Sequence, residues 1–261
     1  MNGMTDIRRN ETIDLLLAHS SVREFEDRPV EEETVNTILA CAQKAPTSSY
    51  LQAYSMIRVE DPAKRAALAA YAGGQEWVIK APLVLLFCAD LYRQGKLVKP
   101  DDSNVLHNTE LYTVSVIDAA LAAQKALIAA QALELGGVVV GGVRNETEKM
   151  AQLFALPELV FPIFLLCLLC LGYPKTVPAQ RPRLDRTFIC DTDRYPTLPD
   201  EQQLADYEEE VRQYFLKASA GKSDRGWTSR CRFAISKKPR YEVDAFLKKA
   251  GFMTETESGE K

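Results

Sequence analysis

The sequence predicts an α+β or α/β protein built around one main sheet. Three observations carry this. Helical patterns alternate with short apolar runs of strand type along the first 175 or so residues. The longest apolar run, Leu159 to Tyr173, contains Pro162 and falls short of the roughly 20 residues a membrane-spanning helix needs. The 261 residues are 46% hydrophobic and 26% charged, the balance of an ordinary globular domain, which excludes wholesale disorder.

The elements follow in order. An amphipathic pattern predicts a helix over Thr12–His19. A second helix, Glu31–Gln43, has Val35, Ile38 and Leu39 on one face and three glutamates at its positive end. The polar loop Ala45–Tyr50 leads to a strand over Tyr54–Val59 and a short helix over Pro62–Tyr71, which Ala72-Gly73-Gly74-Gln75 breaks. Pro82–Ala89 is a continuous apolar strand, as in a sheet covered on both faces. The longest helical pattern, Val105–Leu135, is alanine-rich at Ile117–Ala123, so other elements can approach it closely; Gly136-Gly137 is expected to cap its end. Val138–Val140 is a short strand closed by Gly141-Gly142. Asn145, with Glu148 three residues on, reads as a capping box opening another helix. A strand run covers Phe161–Leu171. Beyond Pro174 the chain is rich in proline and charge, with helices expected over Glu201–Lys217 and Tyr241–Ala250.

The net charge of −4, from 32 basic and 36 acidic residues, gives no general attraction to nucleic acid. The polar start, Met1–Asn10, lacks a secretory apolar stretch, so the expectation is a cytoplasmic protein with reduced thiols and no membrane anchor. Cys167 and Cys170 have the Cys-x-x-Cys spacing, but in an apolar strand residues three apart point to opposite faces; two core thiols are expected. With only His19 and His107, a histidine-rich metal site is excluded, and His107 is expected to be exposed without a chemical role. Phosphate-loop, dinucleotide-fingerprint and nucleophile-elbow motifs are absent. If the chain is an enzyme, a bound cofactor carries the chemistry.

Several short motifs run colinearly from about Thr12 to the C-terminus: His19-Ser20-Ser21-Val22-Arg23-Glu24-Phe25, Thr47-Ser48-Ser49-Tyr50-Leu51-Gln52, Gly73-Gly74-Gln75, Phe87-Cys88-Ala89-Asp90, Val140-Gly141-Gly142-Val143-Arg144-Asn145 and Arg181-Pro182-Arg183-Leu184-Asp185. In this order they resemble the flavin-dependent nitroreductases, in particular the branch of oxygen-insensitive NADPH nitroreductases and NADPH–flavin oxidoreductases. The resemblance implies an α+β nitroreductase-like fold, with a central, mostly antiparallel sheet flanked by helices. It also implies a homodimer with an FMN-binding core over 11–195 and a C-terminal helical extension over 196–261 that wraps the partner subunit and the active site.

The resemblance further implies that His19, Ser21, Arg181 and Arg183 surround the FMN phosphate. Arg23 matches the cation at the pyrimidine edge, and Gln75 a side chain reaching the ribityl or pyrimidine region. Thr47, Ser48 and Ser49 match a flavin-contacting loop supplied by the other subunit. Val140, Gly141 and Gly142 let the backbone approach the isoalloxazine, and Tyr50 shapes the substrate pocket. Lys222 and Arg225 are candidates for the NADPH 2′-phosphate, with a solvated loop as the even alternative and NADH as a possible donor. No side chain is assigned a catalytic step, which belongs to flavin N5, and no metal is expected. The implied activity is hydride transfer from NAD(P)H to FMN, then two-electron reduction of nitroaromatic, quinone or flavin acceptors by a ping-pong mechanism. A flavin-binding redox protein, or a same-fold reductase of halogenated, azo or disulfide compounds, stays open as the alternative. Departures from the family pattern are Ser20 for Arg, Arg181 for Lys, Asp185 for Pro, and a segment over Phe164–Leu171 about three residues longer than usual.

Overall fold

The computed structural model describes residues 7–162, 168–236 and 240–254. Its elements are α1 (Glu11–Leu17), α2 (Glu32–Gln43), β1 (Tyr54–Arg58), α3 (Pro62–Tyr71), α4 (Glu76–Lys80), β2 (Leu83–Asp90), α5 (Tyr92–Leu97), α6 (Thr109–Ala132), β3 (Gly136–Val140), α7 (Thr147–Leu153), β4 (Val160–Pro162), β5 (Leu168–Gly172), α8 (Glu201–Ala218), α9 (Trp227–Ser236) and α10 (Tyr241–Lys249). They divide into two compact units. Residues 21–177 with 240–254 form one, and residues 7–20 with 178–236 the other.

The first unit is built on a sheet of order β1-β2-β5-β3, in which every ladder is antiparallel. All eight residues of β2 are buried, as its unbroken apolar sequence requires of a strand covered on both faces. α2 and α6 pack together, and α6 lies on β1, β2, β3 and β5. Its alanines Ala119, Ala122, Ala123, Ala126 and Ala130 are buried, so the helix axis sits close to the strands beneath. α6 is long and apolar enough to cross a membrane by composition, but more than half of its apolar window is buried inside this unit, as in a core helix. α10 also belongs to this unit: Val243, Leu247 and the following Phe252 are buried, and Phe252 lies 5.2 Å from the Tyr112 ring. The expected extension over 196–261 is therefore shared between the two units.

Several local expectations are corrected. Gly136-Gly137 does not cap α6. The left-handed residue that ends the helix is Glu134 (φ 64°), and the glycines begin β3. They are needed there for space, because a Cβ at Gly136 would come within 2.5 Å of Val22 and one at Gly137 within 2.5 Å of Leu171. Residues 103–107 form a separate 3₁₀ turn, after which the Asn108 side chain caps α6 by accepting from the Leu111 amide. No capping box forms at Asn145, whose side-chain oxygen accepts instead from Arg240, 2.9 Å away, while α7 starts two residues later. His107 is half-buried, with Nδ1 against the Gly251 carbonyl.

The run Phe161–Leu171 is two strands. Pro162 stands opposite Cys88 and Leu168 opposite Leu86, so the chain takes six steps where β2 takes two. Residues 163–167, which include Cys167 and part of the lengthened segment, lie outside the described residues. Cys170 is a core thiol, and burial pushes its pKa up to about 12.

The second unit contains α1, α8 and α9. Asp200 and Gln203 form a reciprocal capping box on α8. The segment 179–183 is tied to these helices by Tyr214, whose hydroxyl donates to the Ala179 carbonyl (2.9 Å), and by Gln180, which donates to the Leu17 carbonyl (2.9 Å).

Candidate functional site

In the sheet-containing unit, one cluster forms along the β3 edge and the turn that follows it. Ser21 bridges to Gly137 on the outer side of this edge, and the Val22 amide donates to the Gly137 carbonyl (3.0 Å). Arg23 thereby lies beside the strand, its guanidinium 5.6 Å from the centre of the Trp77 ring. Trp77 belongs to α4, which begins one residue after Gln75. Val140 is buried at the strand end, and the chain turns through Gly141-Gly142 into a 3₁₀ segment.

Gly142 is a close-approach position. A Cβ there would stand 2.4 Å from the Ala72 carbonyl oxygen and 2.5 Å from Gln75 Nε2. The Gln75 amide itself donates to Ala72 (2.7 Å), so the end of α3, Gln75 and the glycine turn are one packed group. Arg144 Nε donates to the Gly141 carbonyl (2.8 Å). Ser21, Arg23, Gln75, Val140, Gly141 and Gly142, scattered over 122 positions of sequence, are thus gathered at one sheet edge. The indole Nε1 of Trp77 is buried without a partner among the described residues. A cation and an amide beside a tight glycine turn are donors of the kind that recognise a polar, electron-rich heterocycle edge, so these residues fit the pyrimidine side of a flavin.

The Thr47–Tyr50 loop is elsewhere. It immediately precedes β1, at the opposite edge of the sheet from β3. Three strand spacings, roughly 14 Å, separate these edges. Between this loop's start and β1 stand three left-handed residues that are not glycine: Ser49 (φ 48°), Tyr50 (φ 59°) and Gln52 (φ 50°). Each costs roughly 1–2 kcal/mol. The Tyr50 side chain is 83% exposed.

Hydrogen bonds from neighbouring helices hold this shape. Asp118 of α6 is completely buried, and its two carboxylate oxygens accept from the amides of Ser48 (3.0 Å) and Ala53 (3.0 Å). Bonds to a charged acceptor contribute roughly 1.5–3 kcal/mol each, enough to offset the backbone strain. From the other side, Gln94 donates to the Leu51 carbonyl (2.6 Å) and Arg93 to the Tyr54 carbonyl (3.2 Å). Arg93 also reaches Asp90 (3.2 Å), whose carboxylate accepts from the Ser55 hydroxyl.

The second unit gathers cations. The Phe215 ring has the Arg230 guanidinium 3.2 Å and the Arg181 guanidinium 5.7 Å from its centre. Arg230 donates to Ser223 Oγ (2.7 Å) and to the Arg225 carbonyl (3.0 Å). Burial, then the charges of Arg181 and Arg225, lower its pKa. Lys222, Ser223, Asp224, Arg225, Arg230 and Phe233 line a cavity of about 550 Å³. Asp224, the carboxylate in that lining, is engaged by Arg212 at 2.7 Å. Arg183 turns back onto the carbonyls of Arg181 (3.1 Å) and Pro182 (3.2 Å), and half-buried His19 follows α1 in the same unit. Guanidinium groups stacked on a ring and held by neutral oxygens suit a phosphate.

Sequence reasoning did not single out Asp118, Trp77, Phe215 or Arg230. For Asp118 a signal existed: it is the one acidic residue in the alanine-rich stretch, in line with the apolar positions Val114 and Ala122. For Phe215 and Arg230, 15 positions apart on α8 and α9, none did, because α9 itself was not expected.

The chain matches the profile of the Nitroreductase family over residues 16–173 and that of the Nitroreductase family, C-terminal domain, over residues 181–255. It is 36% identical over 248 residues to an FMN reductase (NADPH) of Bacillus subtilis, which spans 93% of this chain and 98% of the relative. It is 37% identical over 243 residues to an oxygen-insensitive NADPH nitroreductase of Salmonella typhimurium, again over 93% and 98%. Among solved structures, the NfrA1 nitroreductase from B. subtilis aligns with a TM-score of 0.88 at 36% identity, covering 94% of this chain and 100% of that one. Both profiles in sequence order, two full-length relatives and the shared fold lead to one conclusion: the chain belongs to the nitroreductase family.

Proposed function

We infer that the chain is an FMN-dependent NAD(P)H oxidoreductase, and we propose that NADPH is its donor and small nitroaromatic, quinone or flavin molecules its acceptors. The observation that carries this is the cluster of Arg23, Gln75 and the Gly141-Gly142 turn at the β3 edge, in a family whose curated relatives are FMN reductases and nitroreductases. FMN, when bound, accepts a hydride at N5 and passes on two electrons.

In this reading the chain's own residues bind and orient. Arg23 supplies a fixed positive charge where reduction builds negative charge, favouring the reduced cofactor. The Gly141-Gly142 turn, packed on Ala72, Gln75 and Arg144, brings its backbone toward the ring, and Val140 anchors the turn. Arg181 and Arg183 neutralise the flavin phosphate, which His19 and Ser21 hold by hydrogen bonds, and Lys222 and Arg225 neutralise the 2′-phosphate of NADPH. Tyr50 borders the acceptor, and donor and acceptor use one face in turn, which gives ping-pong kinetics.

We propose a homodimer, in a cytoplasmic setting. Thr47, Ser48 and Ser49 lie at the sheet edge opposite the Arg23 cluster, so within one chain they do not complete the same site; a second copy supplies them. The outward face of α6, where Ile117 is 50% and Leu121 39% exposed, offers an apolar seam. We keep 11–195 as the flavin-binding core and 196–261 as the extension covering the partner and the active site.

The test is the visible spectrum of the purified protein, followed by anaerobic addition of NADPH or NADH, with light scattering on the same sample. A yellow dimer that NADPH bleaches is the expected result. A protein that FMN cannot reconstitute, or whose bound flavin neither nicotinamide reduces, would overturn the oxidoreductase reading. A monomer that holds FMN tightly would overturn the dimer alone.

A further inference from the structure

We propose that Asp118 is a positioning residue for the redox site: its buried carboxylate presets the 48–53 loop, so that the backbone of Ser48 and Ser49 and the side chain of Tyr50 are in place before flavin or acceptor arrives. This rests on the flavin reading above and adds to it the residue that shapes the loop.

The argument starts from an expense that the core does not need. A carboxylate at 0% exposure, in a stretch of alanines, loses its hydration entirely. An alanine or leucine at 118 would pack the α6–sheet interface without that cost. Its hydrogen bonds instead go to two loop amides five residues apart, Ser48 and Ala53, one on each oxygen. Between those amides the backbone is left-handed at Ser49, Tyr50 and Gln52.

The segment packs only at its far end, where Leu51 is half-buried against the core and Ala53 is buried, while Ser48, Ser49 and Tyr50 are all exposed. The left-handed residues Ser49 and Tyr50 therefore bury nothing of their own, so the shape they impose serves something outside the fold of one chain. The loop carbonyls are fixed as well, by Gln94 at Leu51 and by Arg93 at Gln52 (3.5 Å), and the Leu51 amide donates to Ser48 (2.9 Å). Amides and carbonyls are thus pinned from two separate helices, α6 and α5. Such a loop gives up little conformational freedom when a ligand docks, which raises affinity without adding a contact. Asp118 also ties the loop to the same helix whose outer face carries Ile117 and Leu121, so the loop takes its position from the proposed dimer seam.

The experiment compares full-length wild type with Asp118→Asn, both reconstituted with FMN. The amide keeps the size of the carboxylate but turns an N–H toward one of the two donors. Far-UV circular dichroism checks folding, flavin fluorescence gives the FMN Kd, visible circular dichroism reports the flavin environment, and steady-state rates are measured with nitrofurazone and NADPH. The expected result is a folded protein with an FMN Kd raised ten-fold or more, an altered flavin dichroism, and a nitrofurazone KM raised by a larger factor than kcat falls. A folded Asp118→Asn protein with Kd, dichroism and KM within two-fold of wild type would overturn the proposal and leave the flavin reading intact.

A second measurement needs no variant, and so holds even if Asp118→Asn does not fold. Hydrogen exchange over residues 46–54 should show the Ser48 and Ala53 amides protected in wild-type apoprotein, and equally so with FMN. Free exchange in the apoprotein, with protection only after FMN binds, would overturn presetting. A wild-type chain that binds no FMN would overturn the flavin reading, and the positioning role with it.

Discussion

Replacing Gly142 with alanine tests the geometry at the β3 turn. The added Cβ would lie 2.4 Å from the Ala72 carbonyl oxygen, about 1 Å inside ordinary van der Waals contact. The second short contact, to Gln75 Nε2 at 2.5 Å, is with the far end of a flexible side chain and relaxes cheaply. The first is with backbone at the end of α3, so either the helix end or the turn must move. Overpacking of this kind costs about 1–3 kcal/mol. For a chain of this size that corresponds to a Tm lower by roughly 4–8 °C at a mid-range cost of about 2 kcal/mol. Gln75 must also leave the Ala72 carbonyl, so FMN affinity should fall together with stability. Gly74→Ala is the control: nothing lies within 4 Å of its Cβ, and only its φ of +77° is penalised, by roughly 1–2 kcal/mol. Thermal melts of the apoproteins at one fixed concentration, with FMN titrations alongside, measure both effects. The reasoning is refuted if Gly142→Ala melts like wild type, or if Gly74→Ala weakens FMN binding more.

Three further outcomes are expected. Arg65 donates to the carbonyls of Val59 (2.9 Å), Ala81 (2.6 Å) and Pro82 (3.2 Å), and burial lowers its pKa; Arg65→Met should cost about 2 kcal/mol in urea unfolding. The Tyr173 hydroxyl (2.7 Å), its own backbone amide and Arg28 (2.9 Å) hold the Glu31 pKa down at about 2, from 4.5. Because the folded value is the lower one, the stabilisation is present above the unfolded value of 4.5 and is lost as pH falls through about 2, so the Tm gap between wild type and Glu31→Gln should be open at pH 7 and mostly closed at pH 2. Thiol labelling followed by mass spectrometry should find Cys190, which is exposed, modified first, and Cys88 and Cys170, which are buried, modified only after denaturation.

What the sequence made legible was whatever depends on near neighbours. α2, β1, α3, β2, α8 and α10 start and stop within a residue or two of expectation, because their caps, breakers and apolar periods are local. Gly136-Gly137 misled because glycine after a helix serves two purposes, a left-handed cap or room for a neighbour, and only the position of Val22 decides between them. Asn145 misled because Arg240, 95 residues away, competes for the oxygen that would have capped α7. The short helices α4 and α5 offer too few turns for a periodic signal, and α9, though as long as α3, buries none of its residues and so shows no apolar face. At the site, Arg23, Gln75 and Gly141-Gly142 were identifiable as a colinear pattern, but their meeting depends on the Ser21–Gly137 bridge, a tertiary pairing. Arg230 was not identifiable, since stacking on Phe215 leaves no mark in either residue's surroundings along the chain.

The placement of the Thr47–Tyr50 loop and the Arg23 cluster at opposite edges of one sheet has a genetic consequence. If each pocket takes one edge from each chain, then an allele damaged at Arg23 and an allele damaged in the loop harm different halves. Mixed dimers of two inactive chains would hold one doubly damaged pocket and one built entirely from intact halves. Co-expression would then restore part of the activity that neither chain has with its own copy, up to one pocket in each mixed pair. The same arithmetic makes a chain damaged at both edges able to silence both pockets of any dimer it enters.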